Sequence, residues 1–220
     1  MKNPRLETHP FDNDCSYLDS ELRWLKLRVS RILAEHELTD AQAEENDGDL
    51  AFAQRPGRVD SREFRCRAME LKEAEHKLRH ECDVRLRINR ERTAAHTLGL
   101  DELCLEYDLS SEERLVLLVA LPFGISQSLA EGTLQDFARH WGSISVGDAI
   151  SVLDPRSTGD WLLHRALFRP HAPLVSNGLI ELDTPSGNVG PDTLPCADFR
   201  LTLDAFARIT GDGEAITEGN

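Results

Sequence analysis

Pro173-Leu174-Val175-Ser176-Asn177-Gly178-Leu179-Ile180-Glu181-Leu182-Asp183 is the stretch that decides the fold. Asn and Gly accept positive φ at little cost, so Asn177-Gly178 predicts a tight turn. The apolar residues behind it, Leu179, Ile180 and Leu182, predict a short strand. Asp183 to Asp198 then holds two glycines, three prolines and three aspartates, the composition of a loop. A second strand-like run follows at Phe199-Arg200-Leu201-Thr202-Leu203, so the region reads as a hairpin with a long tip.

Upstream, the apolar residues recur at helical spacing. Leu100 to Tyr107 predicts a short helix with Leu103, Cys104 and Tyr107 inward. Ser110 and Glu113 form a capping box for a helix from Glu112 to Leu121, whose core is Leu115, Leu117, Leu118 and Leu121. Pro122-Phe123-Gly124 is read as its stop. Gly132 or Thr133 is expected to open a helix through Leu134, Phe137, Ala138 and Trp141. The turn Gly142–Ser145 then leads to a helix from Val146 to Leu153, stopped by Asp154-Pro155. These two helices read as a helix-turn-helix, with the second in the position that reads DNA. Trp161 to Phe168 and Leu203 to Ile209 complete the helical pattern. Helices followed by a long-tipped hairpin are the order of a winged-helix domain.

The N-terminal half predicts a long antiparallel helical hairpin. Leu18, Leu22, Leu25, Val29 and Ile32 are spaced 4, 3, 4 and 3 apart, an apolar seam on a helix from about Tyr17 to Leu38 with Ser16 as its cap. Residues 39–59 are acidic and rich in Gly and Pro, and read as a mobile loop. Asp60, with Glu63 three residues on, caps a second helix through Phe64, Ala68, Leu71, Leu78 and Cys82 to about Thr97. The expected organisation is a flexible N-terminus (1–15), the helical hairpin (16–97), the winged-helix-like domain (98–211) and a disordered tail or linker (212–220). The fold class is mainly α with a small β-hairpin.

The formal net charge of −14 disfavours general binding to nucleic acid or an anionic membrane. Residues 1–100 carry 18 basic and 20 acidic residues, whereas residues 101–220 carry 7 and 19. Neither Ser143–Asp154 nor Asp183–Asp198 contains Lys or Arg, which argues against conventional helix-turn-helix contact with DNA. Between Arg62 and Arg92 ten cations stand against seven acids. Most of that run reads as a solvated helix laced with i,i+4 pairs such as Glu73–Lys77 and Glu75–Arg79. As a docking face, it nominates Arg85, Arg87, Arg90 and Arg92, and the wing nominates Asp183 and Asp192. The partner implied is a protein, with self-association as a second expectation, no membrane contact, and DNA disfavoured.

No catalytic constellation is visible: GxSxG, HExxH and GxxxxGK[ST] are absent. His76 and His80 share a helix face, but two imidazoles without a third ligand read as surface residues. Five cysteines, odd in number and without CxxC, point to free thiols in a reducing, cytoplasmic compartment. Neither a cofactor nor a metal is expected.

Asp108-Leu109-Ser110-Ser111-Glu112-Glu113-Arg114-Leu115-Val116-Leu117-Leu118 resembles the "L-S-x-x-E-R-x-x-L-L-L" segment that precedes the ATPase module in a group of bacterial AAA+ ATPases. Pro173 to Leu182 resembles their "P-L-[IV]-x-x-G-L-I-x-L" strand, and Leu201 to Gly211 their short connector. The similarity spans about residues 98–211 and does not reach a nucleotide-binding module. It implies a non-catalytic N-terminal region of such an ATPase, or a stand-alone relative, that recognises a protein partner or substrate and organises oligomers. The alternative is a winged-helix transcription regulator that contacts DNA through the basic helix.

Overall fold

The computed structural model describes residues 9–46, 61–91, 97–137, 143–183, 190 and 193–212. The first helix, α1, runs Asp14–Asn46, and the second, α2, runs Ser61–Glu91. Asn13, not Ser16, caps α1. Its Oδ1 accepts from the Ser16 N–H at 2.9 Å, while the Ser16 hydroxyl returns a bond to the Asn13 carbonyl, also at 2.9 Å. The helix continues through residues 39–46, where a loop was expected; Ala, Gln and Glu there are strong helix formers. The remainder of the expected loop, and residues 92–96, lie outside the described residues.

The two helices are antiparallel. Glu21, Arg28 and Glu37 of α1 meet Arg79, Glu75 and Arg67 of α2 in turn. The α1 seam faces inward, with Leu18, Leu25, Val29 and Ile32 buried. Glu75 does not pair with Arg79 along its own helix. It reaches across to Arg28 and Arg31, at 3.2 and 2.6 Å, because charges desolvated between helices gain more from each other than along an exposed face. Glu73 and Lys77, both exposed, form no ion pair among the described residues.

The C-terminal half wraps around one central helix. Helix α3 (Gly99–Glu106) leads to α4 (Ser111–Ile125), whose Ser110–Glu113 capping box is present in both directions. Every residue from Leu115 to Pro122 is buried, so α4 is apolar on all sides and serves as the core of the molecule. Pro122 does not stop it. The helix runs one more turn to Ile125 because Leu121 and Pro122 are both buried and the Phe206 ring lies against Gly124, whose added Cβ would come within 2.6 Å of it.

Helix α5 (Gln127–Leu134) ends where a helix was expected to begin. The Ser126 hydroxyl accepts from the Leu129 N–H at 3.1 Å and starts it, and Gln135 leaves it at φ 51°. A 3₁₀ turn follows at Gln135–Phe137; residues 138–142, including Trp141, lie outside the described residues. A two-residue strand, β1 (Ile144–Ser145), runs directly into α6 (Val146–Leu153), with the Ser145 hydroxyl accepting from the Asp148 N–H at 3.0 Å. Asp154 closes α6 in the left-handed region. Then come α7 (Thr158–Ala166), the one-turn helix α8 (Pro173–Ser176), strands β2 (Ile180–Asp183) and β3 (Asp198–Leu201), and α9 (Leu203–Thr210). Gly178 takes φ 64° in the turn before β2, as the Asn-Gly pair predicts.

The sheet is antiparallel in the order β1-β3-β2, with Ile144 opposite Phe199 and Leu182 opposite Phe199 from the other side. The helix pair that precedes the hairpin is therefore α6 and α7, not the pair read from the sequence. Helix α6 is buried, and α7, which precedes the hairpin in the chain, has no buried residue.

Both halves share a continuous core from Phe11, Tyr17 and Leu25 through α4 to Phe199 and Ile209. At its base, Asp14 Oδ1 accepts from the Gly99 N–H at 2.6 Å, and Asp14 Oδ2 lies 3.2 Å from where a Cβ on Gly211 would sit. The start of α1, the start of α3 and the end of α9 meet there.

Candidate functional site: an arginine-lined cleft

Antiparallel packing of α1 on α2 brings cations from both helices toward the N-terminus of α4. Trp24 and Arg28 come from α1, and Arg79, Asp83, Leu86, Arg87 and Arg90 from α2. Ser111, Glu112, Arg114 and Leu115 come from α4, Leu153 from α6 and His164 from α7. They enclose a cleft of about 640 Å³. Five guanidinium groups line it, against two carboxylates.

Most of these cations are anchored by the fold. Glu21, wholly buried, holds Arg79 at 2.9 Å through Oε2 and Arg114 at 2.7 Å through Oε1. Arg114 also donates to the Tyr17 hydroxyl at 2.8 Å. Burial alone lowers the Arg114 pKa, but Tyr17 and Glu21 outweigh it, so the group is held firmly protonated. Burial likewise drives the Tyr17 phenol well above its usual range. Arg79 also binds Asp83 along α2 through Nε at 2.8 Å, and its guanidinium lies 5.1 Å from the Trp24 ring centre.

Arg28 plays a different part. Its Nε and Nη2 donate to the carbonyls of Val152 and Leu153 at 2.9 and 3.0 Å, capping the negative end of α6. Arg31 commits all three of its nitrogens, to Glu75, Glu35 and Asp154. The hairpin is thereby bolted to the last turn of α6.

The residues nominated from the sequence separate on this framework. Arg87 is exposed at the cleft and forms no ion pair among the described residues. Arg90 lines the same cleft but is held by Asp101 through Nε at 2.8 Å. Arg85 points elsewhere: it donates to the His9 carbonyl at 3.0 Å and stacks on the Phe11 ring at 4.0 Å. Asp183 is exposed at the end of β2, opposite Asp198, and does not line the cleft. Arg92 and Asp192 lie outside the described residues. His76 and His80 are exposed on α2. Sequence reasoning missed Trp24, Arg28, Arg79, Arg114 and His164. An arginine inside the leucine-rich α4 was the one available signal, since a cation there needs a buried acid.

Helix α7 forms the second candidate surface. None of its residues is buried, and Leu162 and Leu163 are 58% and 69% exposed. Arg165 lies on it and Arg169 just beyond, neither with an ion-pair partner among the described residues. Arg156, ahead of it, is tied to Asp154 and Glu35. The cation-free stretch Ser143–Asp154 is thus not the exposed reading position. What distinguishes that position is its two bare leucines.

A short strand, a helix pair and an antiparallel hairpin packed on a helical base define a winged-helix protein. The chain belongs to the family described as "Winged helix domain, variant", whose model matches residues 1–207, the helical hairpin included. No curated protein and no solved structure matches it. No described helix is long and apolar enough to cross a membrane.

Proposed function

We propose that the chain is a non-catalytic recognition region that binds a protein through α7, as the N-terminal part of a bacterial AAA+ ATPase or a stand-alone relative of one. The observation that carries this reading is the exposure of Leu162 and Leu163 on the second helix of the pair before the hairpin, where a DNA reader places groups for base edges and phosphates. The motifs around Leu109–Leu118 and Pro173–Leu182 support the ATPase relationship. The test places a photo-crosslinking residue at Leu163 and, as a control, at Leu105 of α3, which is 63% exposed. Discrete protein adducts are expected at 163 and not at 105. Adducts with nucleic acid, or none at 163, overturn the reading. An encoded P-loop downstream of Asn220 in the same frame is the expected mark of the ATPase parent.

The second reading, a DNA-binding regulator, draws on Arg165 and Arg169. The basic helix α2 supports it less, because Arg79 and Arg90 are bound to acids of the chain itself. Duplex binding at low salt that falls steeply with added salt, and is lost in Arg165→Ala with Arg169→Ala, would favour it.

A further inference from the structure

We infer that the arginine-lined cleft is a binding site for an acidic peptide segment, with Arg87 as the residue that captures its carboxylate. The inference rests on the reading that this protein contacts protein, and names a second surface for it, one that α7 borders only through His164.

The cleft is concave and large enough for two or three side chains, and its cations come from three different helices. Their donors are only partly used. Arg87 has spent none on the described residues. Arg90 gives Nε and Nη2 to Asp101 and keeps Nη1. Arg114 bonds through Nη2 alone. The buried Nδ1 of His164 has no partner, so one polar edge of the lining is unsatisfied. Of the two acids present, Asp83 is engaged by Arg79. Glu112 accepts from the Ser111 hydroxyl at 2.9 Å, and its own backbone N–H, with Ser111, keeps its carboxyl ionised below the usual range.

Planar guanidinium groups with free donors match a carboxylate fork in both charge and shape. Positions 87 and 90 lie three apart on α2, so they stand side by side. Trp24, Leu86, Leu115 and Leu153 supply an apolar lining. An acidic residue beside an aliphatic one fits this chemistry better than a bare ion, which would leave the apolar lining unused.

The test titrates the nitrogen-labelled chain with the capped peptide Glu-Leu-Glu-Glu, with its Gln-Leu-Gln-Gln counterpart, and with inorganic phosphate, following the arginine Nε–H signals. The acidic peptide is expected to shift Arg87 and Arg114, and the amide peptide to shift neither. Arg87→Glu should weaken binding by about tenfold or more with an unchanged melting temperature. Arg65→Glu, the same charge change at the far end of α2, should not. An equal response to the amide peptide, saturation by phosphate without response to the peptide, or undiminished binding by Arg87→Glu overturns the inference. Leu163 does not line the cleft, so crosslinking there reports on the exposed face of α7, and the two readings can fail independently.

Discussion

Glu21 Oε1 lies 2.7 Å from Arg114 Nη2, and this contact joins the first helix to the central one at a point that water does not reach. It is an ion pair rather than a well-angled hydrogen bond, and the second carboxylate oxygen serves Arg79. One buried carboxylate is thus shared between two cations, of which Arg79 has a second partner in Asp83.

Glu21→Gln keeps the shape and removes that charge. Arg114 loses its carboxylate partner and Arg79 keeps only Asp83, which costs about 3 kcal/mol. Urea unfolding should show the loss as a lower midpoint with an unchanged slope. A change under about 1 kcal/mol would mean that water hydrates the two arginines.

Arg28→Met keeps the apolar stem but loses both carbonyl contacts at the end of α6. Loss of these charge-assisted bonds should cost about 2 kcal/mol. Hydrogen exchange should quicken at residues 151–154, while amides of α9 stay protected. Uniform quickening across the chain would contradict a local capping role.

Two glycines should respond in opposite directions. A Cβ on Gly99 would collide with the Arg208 carbonyl, a backbone atom that cannot move aside cheaply, so Gly99→Ala should lower the melting temperature sharply. Gly132 lies inside α5 with nothing near its added Cβ, so Gly132→Ala should stabilise by about 0.5–1 kcal/mol.

Burial pushes the thiols of Cys82 and Cys104 up to about 11, from about 9 in the unfolded chain. Between those values the unfolded state has already lost protons that the folded state keeps. Stability is therefore full below pH 9 and falls as pH rises toward 11. At neutral pH a thiol reagent should modify Cys15, Cys66 and Cys196 readily, and Cys82 and Cys104 only on unfolding.

Local chemistry was legible in the sequence. The Ser110–Glu113 box, the Asn177-Gly178 turn and the Val146–Leu153 helix depend on residues a few positions apart, and each is present. Features set by distant partners were not. Pro122 continues its helix because Phe206, from the far end of the chain, packs on Gly124. Strand β1 is two residues long, too short for any period, and exists through pairing with β3. Misplacing the helix pair by one element followed from missing β1 and the Ser126 start. The cleft was half legible: Arg87 and Arg90 stand out in the basic run, but only helix packing brings Arg28, Arg79 and Arg114 beside them.

The carboxylate of Asp14 touches the beginning of α3 and crowds Gly211, where the chain leaves α9. A pull or twist on the polypeptide beyond that point is delivered to the root of α1, and along that 33-residue lever to its distant tip. The root of α1 and the exit from α9 are thereby coupled through a single carboxylate.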